Sequence, residues 1–311
     1  MSSNTKVRPL SQALANIARD ELHEEPQLLE ESLRLLKEWI RKEPHLNART
    51  DDQWLVTFLR GCKFSLERTK EKIDLYYSLR STAPDLFCVR YKDPKVMDIL
   101  DLGVGIVLHK TVSPSGPRVI IYRPGQYDPD QHNIMEIIAV GALALQVCYM
   151  EDDNMTVSGT VNIMDLEGTR LSHFTSLTPL MMKKIIALHQ EAAPTRMKAV
   201  HFLNTPPFFE TAFNFVKTFC NEKNRNRLYV HNKNYEALYK HVPKEVLPKE
   251  YGGSEYSVQD VIDQWKNKVK TYHPWFEKDL EYGTIESKRS GKTKSAAMFG
   301  VDGSFRQLHF D

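Results

Sequence analysis

The feature that most constrains the fold is an alternation of short β-rich segments and longer helical segments that begins near residue 100. The segments GVGIVLHK and PRVIIYR flank the turn TVSPSG, a pattern that predicts a β-hairpin. The later β-rich segments TVSGTVNIMDL, MKAVHFLN and RLYVH each follow a helical segment. Strands joined through helices predict βαβ crossovers, and therefore an α/β fold with a mainly parallel, buried sheet.

The first 90 residues carry a different, helical pattern. The segments EPQLLEESLRLLKEWIRKEP, DDQWLVTFLRGCKFS and LERTKEKIDLYYSLR place apolar side chains at helical spacing. A closing helix, SVQDVIDQWKNKVKTYH, follows the strands, and the last residues lack a core pattern. We therefore predict a helical N-terminal domain at 1–90, an α/β domain at 91–275 and a C-terminal tail at 276–311.

Composition indicates a soluble globular protein. Hydrophobic residues make up 41% of the chain, charged residues 26%, and the formal net charge is +2. The first residues contain no apolar run resembling a signal peptide, and the longest uncharged stretch, 137–150, is too short to cross a bilayer. The four cysteines lack paired spacing. We expect a cytoplasmic protein.

The stretch IMDLEGTRLSHF raises the question of catalysis. Asp165 and Glu167 stand two residues apart at the end of a predicted strand, where they form either an acid/base pair or a cap for the following turn. The cap is favoured, because no nucleophile or phosphate-loop motif accompanies them. His173, His189 and His201 lie on separate elements without metal-binding spacing. We predict no catalytic residue, no metal, no cofactor and no enzyme activity.

The segment NTPPFFETAFNFVKTF carries an unusual density of aromatic residues. Its phenylalanines are Phe208, Phe209, Phe213, Phe215 and Phe219, and several of them share one stripe of a helix. A helix packed in the core would show this pattern. A lid over a cavity, or a helix that contacts a membrane, would show it too.

Basic residues cluster beside that helix. Arg196 and Lys198 enter one predicted strand, Arg227 enters another, and Lys223 and Arg225 are close to it in sequence. If the strands are neighbours, the side chains converge on a patch that suits the phosphates of lipid headgroups. The alternative is an ordinary solvated surface. The near-neutral total charge argues against nucleic acid.

An ordered set of motifs resembles a known family. The motifs DDQWLVTFLRGCKFSLERTKEK, YDP, VNIMDLEG, HFTSLTP, HFLNTPPFF, LYVH and LPKEYGG resemble the CRAL-TRIO lipid-binding family, in its α-tocopherol-transfer-like, arthropod-type branch. The resemblance covers about residues 25–275. It implies a helical N-terminal domain and a CRAL-TRIO domain whose sheet floors a hydrophobic cavity, with the DLEG motif as scaffold.

The resemblance also implies a set of site residues. The helix at 206–217, with Phe208, Phe209 and Phe213, corresponds to the mobile gate of the family. The phosphoinositide-binding residues fall on Arg60, Arg196, Lys198, Lys223 and Arg227. The ligand pocket falls on Ile137, Gly141, Leu145, Thr160, Asn162, Met164, Leu188 and His189. One departure is that Gly61, Cys62 and Lys63 replace a second arginine that the family has after the position of Arg60.

The function implied is a carrier. We expect the protein to bind a hydrophobic ligand such as tocopherol, a retinoid or a carotenoid, and to exchange it at phosphoinositide-containing membranes as a peripheral protein. The alternative is a lipid-responsive adaptor, recruited to vesicles by phosphoinositide, whose C-terminal tail binds a protein partner.

Overall fold

The first part of the chain is helical. The computed structural model describes residues 6–86 and 93–291. In order, the elements are α1 (Gln12–Leu22), α2 (Pro26–Lys42), β1 (Leu46–Asn47), α3 (Asp52–Gly61), α4 (Leu66–Thr82), a 3₁₀ turn (Pro84–Leu86) and α5 (Pro94–Asp101). Helix α5 was not predicted from the sequence, because its eight residues are too few for a test of helical periodicity.

The second part alternates strands and helices. Its elements are β2 (Gly105–Thr111), β3 (Arg118–Tyr122), α6 (Ile134–Glu151), α7 (Asp153–Ser158), β4 (Thr160–Asp165), α8 (Leu171–Thr175), α9 (Pro179–Ile186) with a π-helical continuation (Ala187–Ala192), β5 (Met197–Leu203), α10 (Phe209–Lys217), α11 (Glu222–Arg225), β6 (Leu228–Asn232), α12 (Tyr235–Tyr239), α13 (Val258–Thr271), α14 (His273–Asp279) and β7 (Gly283–Thr284). Further 3₁₀ turns are Pro124–Gln126, Lys244–Val246, Lys249–Tyr251 and Glu286–Lys288.

The main sheet confirms the predicted α/β class. Its strands lie in the order β2-β3-β4-β5-β6 within the described residues. Strands β2 and β3 form the predicted antiparallel hairpin, whereas β3, β4, β5 and β6 are parallel to one another. The fold is therefore mixed α/β, with a helical N-terminal part and a mostly parallel sheet.

The segment TVSGTVNIMDL is not one strand, as its composition had indicated. Its first three residues end helix α7, and β4 begins only at Thr160. Gly159 separates the two elements with a φ of 87°, a conformation that glycine adopts without steric cost. A Cβ atom at this position would lie 2.2 Å from the carbonyl oxygen of Arg196, so a side chain has no room here.

An aromatic core joins the helical part to the sheet domain. Trp54 on α3 is fully buried, and its ring contacts Phe58, Tyr76, Tyr149 and Trp275 at centroid distances of 5.6–6.0 Å. The last two residues belong to α6 and α14, which lie in the C-terminal two thirds of the sequence. Large buried rings contribute strongly to stability, so these contacts fix the two parts together.

The described portion of the predicted tail is folded onto the helical part. Strand β7 pairs antiparallel with β1. Asp279 at the end of α14 forms ion pairs with Arg49 and Arg80 at N–O distances of 2.8 and 2.6 Å, and all three side chains are buried. Residues 292–311, which include most of the segment assigned to an adaptor role, lie outside the described residues. The domain boundaries at 90 and 275 stay a prediction.

Candidate ligand and membrane site

The two faces of the sheet are packed differently. Successive strand residues point to opposite faces, and the register pairs Ile120 with Asn162 and Tyr122 with Met164. We call the face that carries Ile120, Tyr122, Asn162, Met164, Val200 and Phe202 the front face. Asn162, Met164 and Phe202 on it keep accessible surface. On the opposite back face, Val119, Ile121 and Ile163 are fully buried.

Helix α6 carries a matching stripe of accessible apolar residues. Ile138, Gly141 and Leu145 are three or four residues apart and only partly buried, while most of the helix is buried. A Cβ atom added to Gly141 would meet nothing within 4 Å, so this position borders open space. Ile138, Leu145 and Tyr122 of the front face pack against the same core cluster.

The predicted pocket residues divide into two groups. Gly141, Leu145, Asn162, Met164 and His189 keep accessible surface. Thr160, Ile137 and Leu188 are instead buried, with exposed fractions of 4%, 5% and 5%. Ile137 packs with residues of α5 and α13, and Leu188 packs into the core that contains Trp54. The pocket assignment as a whole stays a prediction.

Two of the accessible pocket residues are polar. The Oδ1 atom of Asn162 is buried and has no hydrogen-bond partner within the described residues. His189 keeps accessible surface although the surrounding protein desolvates its ring and thereby lowers its pKa. Accessible surface together with desolvation is expected for a side chain that lines an internal space.

Two pockets of measurable volume lie elsewhere. One, of about 340 Å³, is lined by residues in and next to α5 and α6, which include Asp93 and Val140. The other, of about 230 Å³, is lined by residues that include Lys183, Gln190 and Phe219. Neither is lined by any of the eight predicted ligand residues.

Helix α10, the predicted gate, rests on the front face through aromatic rings. Phe209 and Phe213 stack at 4.9 Å, and each contacts Phe202 at a centroid distance of 5.4 or 5.1 Å. Phe208 instead contacts Phe174 of α8 at 5.3 Å. No residue of α10 is buried. The helix therefore lies over the sheet without being enclosed by the core.

Exposed apolar residues accompany the gate. Phe215 on α10 is 45% exposed, and Leu171 on α8 and Leu180 on α9 are 57% and 48% exposed. Single exposed apolar residues are normal on soluble proteins. Here they occur on the helices that surround the predicted cavity, so they add apolar surface where the sequence predicted membrane contact.

The predicted basic residues on β5 and before β6 do come together. Lys198 lies 3.2 Å and Arg196 lies 3.9 Å from the carboxylate of Glu21 on α1. Burial, and then the charges of Arg227, Lys63, Arg68 and Arg196, lower the pKa of Lys223. We call Arg196, Lys198, Lys223 and Arg227, together with Lys63 and Arg68, the basic cluster.

Lys63 and Arg68 were missed as site residues. Lys63 belongs to the segment that replaces the family's second arginine, and Arg68 lies in the first turn of α4. Both side chains are exposed, and neither forms an ion pair in the part of the chain that the structure describes. The turn between α3 and α4, where Lys63 has a φ of 53°, brings them toward Lys223. Lys63 and Arg68 are far from Lys223 in the sequence, so their proximity could not be predicted from it.

The structure does not bring Arg60 to this surface. Its side chain is fully buried, and its guanidinium donates two hydrogen bonds to Glu24 at 2.8 and 2.9 Å. Thr156 and Asp153 on the far side lie 3.4 and 3.6 Å away. A buried, paired arginine has no free donor for a headgroup, so Arg60 here joins α3 to α7 and to the segment after α1.

The DLEG motif is structural. Asp165 Oδ1 accepts hydrogen bonds from the Glu167 N–H at 3.1 Å and from Asn204 Nδ2 at 2.8 Å, and Oδ2 accepts one from the Tyr251 hydroxyl at 2.5 Å. The predicted capping of the turn by Asp165 is therefore confirmed. His173 is buried, and its Nε2 lies 3.0 Å from the carbonyl oxygen of Tyr127.

Metal-binding clusters and membrane-spanning helices are two further features that bear on function. Among the described residues, no group of three or more His, Cys, Asp or Glu is arranged to hold a metal ion. Helix α6 is 18 residues long and apolar enough to cross a membrane, and 56% of it is buried within the fold. A buried core helix of a globular protein meets the same criteria, so α6 is weak evidence for a membrane span.

Comparison with known proteins agrees with this architecture. Residues 103–253 match the model of the CRAL/TRIO domain, and residues 25–97 match that of the Pinta-like UBA domain. The human protein named alpha-tocopherol transfer protein-like is 34% identical over 249 residues, covering 80% of this chain and 72% of the relative. Rat clavesin-2 is 27% identical over 238 residues, covering 76% and 72%.

A solved structure supports the fold. The crystal structure of Sfh5 superposes with a TM-score of 0.51 at 15% identity, covering 82% of this chain and 92% of that one. The fold is thus that of a mixed α/β protein with a helical N-terminal part and a mostly parallel sheet. The chain belongs to the CRAL-TRIO family, and this membership supports the binding and transfer of a hydrophobic ligand.

Proposed function

We propose that the protein carries a hydrophobic ligand between its front face and helices α6 and α10, and exchanges it at membranes that contain phosphoinositides. The observation that carries this proposal is the packing of α10. The helix covers accessible apolar surface of the sheet through Phe209 and Phe213, yet none of its own residues is buried. A cover held in this way can open without unfolding the core.

The apolar surface beneath the cover suits a lipid tail. Burial of each CH₂ group contributes about 0.8 kcal/mol, so a tail of tocopherol, retinoid or carotenoid length can partition from a bilayer into such a space. Asn162 and His189 supply polar atoms in otherwise apolar surroundings, where one or two hydrogen bonds orient a ligand.

The basic cluster supplies the membrane contact. The cluster contains six cations, and Glu21 is a carboxylate that lies close to two of them. Each cation near an anionic surface contributes about 1 kcal/mol. Binding of phosphate groups beside the gate would favour the open state, provided that the open state binds them more tightly. The protein would then act as a cytoplasmic carrier that attaches peripherally to membranes.

The test separates membrane exchange from ligand uptake. In the variant Lys198→Gln with Lys223→Gln, we expect transfer of a fluorescent tocopherol between vesicles that contain phosphatidylinositol 4,5-bisphosphate to fall about 10- to 30-fold, from the loss of about 2 kcal/mol of attraction. Both lysines keep accessible surface, so the fold should tolerate the change. Uptake of the same probe from detergent should be unchanged.

A matched control removes two exposed lysines elsewhere. The variant Lys42→Gln with Lys249→Gln has the same net charge and should transfer at the wild-type rate. Equal transfer by both variants, or an equal loss of uptake and transfer in the first, would contradict the exchange mechanism. Native mass spectrometry of the protein purified from its source tissue should show a stoichiometric lipid.

A further inference from the structure

Three histidine rings meet beside the edge strand of the sheet. His201 on β5 is 1% exposed, and its Nδ1 lies 2.9 Å from Nε2 of His231 on β6. His241, which follows α12, has its ring centroid 5.0 Å from that of His201 and 5.8 Å from that of His231. Tyr229 stacks on His201 at 5.1 Å. The ligand and membrane sites do not use this histidine cluster (His201, His231 and His241).

The same stretch of chain holds the gate in place. Two histidines of the cluster lie on the segment 228–241. The carbonyl oxygen of Asn232 on this segment accepts the N–H of Asn204 at 2.8 Å, and its side chain accepts a hydrogen bond from Thr205. Asn204 also donates to the hydroxyl of Tyr235 at 3.0 Å.

Those hydrogen bonds fix the hinge of the gate. Asn204 has a φ of 49°, and it begins the link that leads from β5 through residues 205–208 into α10. A shift of 228–241 away from β5 would break the bonds to Asn204 and Thr205 together. The histidine cluster on the back face is thereby connected to the gate on the front face.

Protonation opposes the observed arrangement. The contact between His201 and His231 needs one ring to donate and the other to accept, so it tolerates at most one added proton. Burial, and then His231 and His241, lower the pKa of His201 to about 4. Burial and His241 lower the pKa of His231.

No neighbouring group compensates for the added charge. The residue of β4 that pairs with His201 is the apolar Ile163. Within the described part of the chain, no carboxylate acts on the rings of His201 and His231, whose pKa values are shifted by burial and by the other histidines alone. The charged residues on the segment itself, Lys233, Glu236 and Lys240, are exposed.

We propose that the histidine cluster is a proton switch for the gate: acidification places positive charge among these contacting rings, the resulting repulsion weakens the contact of segment 228–241 with β5, and the hinge of α10 is released. The sign follows from linkage. Histidines whose pKa is lowered in the folded arrangement stabilise it above their unfolded value of about 6.5, and this stabilisation is lost as the pH falls toward 4.

The switch would act where the carrier works. An anionic membrane surface at about −30 mV lowers the local pH by about half a unit relative to bulk solution. The membranes that attract the basic cluster would then also favour an open gate. This inference concerns the hinge and extends the proposed carrier function without depending on the identity of the cargo.

Hydrogen–deuterium exchange of the full chain, without added lipid, tests the switch. Rates are measured at pH 7.5, 6.5 and 5.5 and corrected for the intrinsic pH dependence of exchange. We expect the corrected exchange rates of peptides within 204–217 to be at least 5-fold higher at pH 5.5 than at pH 7.5. Peptides from α3 should not change.

Single variants identify the groups responsible. His241→Gln and His231→Gln should each reduce the pH response of 204–217 to less than 2-fold, whereas His132→Gln, remote from the cluster, should keep the full response. His241 is exposed, so its variant should fold even if the other is destabilised. A wild-type gate that does not respond to pH, or the same response in His241→Gln, would overturn the proposal. Because no cargo is used, failure of the carrier function would not produce either result.

Discussion

The aromatic core of the helical part and helix α10, the proposed gate, use similar ring contacts but differ in burial. Around Trp54 the ring centroids are 5.6–6.0 Å apart, and around Phe213 they are 4.9 and 5.1 Å apart. Trp54 is enclosed by α4, α6 and α14, whereas helix α10 has no buried residue. Aromatic content therefore does not distinguish an enclosed core from a helix that lies on the sheet without being buried. The two regions differ in whether other elements enclose the rings on all sides.

Charged groups show the same contrast. In the aromatic core region, Asp279 pairs with both Arg49 and Arg80, and Asp51 lies 3.6 Å from Arg49, so two carboxylates face the two buried cations. In the basic cluster, Glu21 is partly exposed and lies near only two of the six cations. The buried arginines thus have carboxylate partners, whereas the basic cluster beside helix α10 has more cations than nearby carboxylates and can attract phosphate.

Removing the central ring of the aromatic core should have the largest effect. Trp54→Ala deletes a fully buried side chain with four aromatic neighbours. We expect the free energy of unfolding, measured by urea denaturation, to fall by about 4–5 kcal/mol. Leu171→Ala, which truncates a side chain that is 57% exposed, should cost less than about 0.5 kcal/mol. Similar losses of unfolding free energy in the two variants would show that the aromatic core does not differ in stability from the exposed surface.

Breaking the buried ion pairs should rank second. Asp279→Asn removes the carboxylate that pairs with both buried arginines, and we expect a loss of about 3 kcal/mol in the same denaturation experiment. The control is Asp101→Asn, whose partner Lys266 lies 2.5 Å away on the surface. An exposed pair contributes less than about 1 kcal/mol. A control loss as large as that of Asp279→Asn would show that burial is not the cause.

The sequence predicted the fold better than the site. Hydrophobic patterning located α2, α6 and the five strands of the main sheet, because each carries an apolar run that is bounded by turn or helix signals. It missed α5 and the end of α7, which are short, and it could not show that β7 pairs with β1 across more than 230 residues. Such pairing depends on tertiary contacts that leave no local pattern.

Resemblance to the family and residue type were not sufficient to predict which basic residues lie together at the candidate site. Arg60 matches the position of a basic site residue, but Glu24 holds it in a buried pair. Lys63 and Arg68 did not match and yet lie near Lys223. Local sequence does not specify which carboxylate reaches which cation, because that depends on how α1 and α4 pack against the sheet.

The smallest effect on stability should come from a substitution in helix α10, the proposed gate. This substitution tests most directly whether α10 differs from the aromatic core. Phe213→Ala removes the contacts to Phe202 and Phe209, which are worth about 1 kcal/mol for a partly exposed aromatic pair. Global unfolding should change by no more than this amount. Hydrogen exchange within 209–217 should accelerate about 5-fold, since a loss of 1 kcal/mol from a local opening equilibrium shifts it by roughly that factor.

Phe215→Ala provides the matched control, because Phe215 is 45% exposed and contacts only the neighbouring ring of Phe219 among the described aromatic residues. Exchange within 209–217 should be unchanged in this variant. If Phe213→Ala instead lowered the free energy of unfolding as much as Trp54→Ala, α10 would unfold together with the core. The helix would then be part of that core, and a ligand could leave only by unfolding of the domain, which is incompatible with repeated exchange at a membrane.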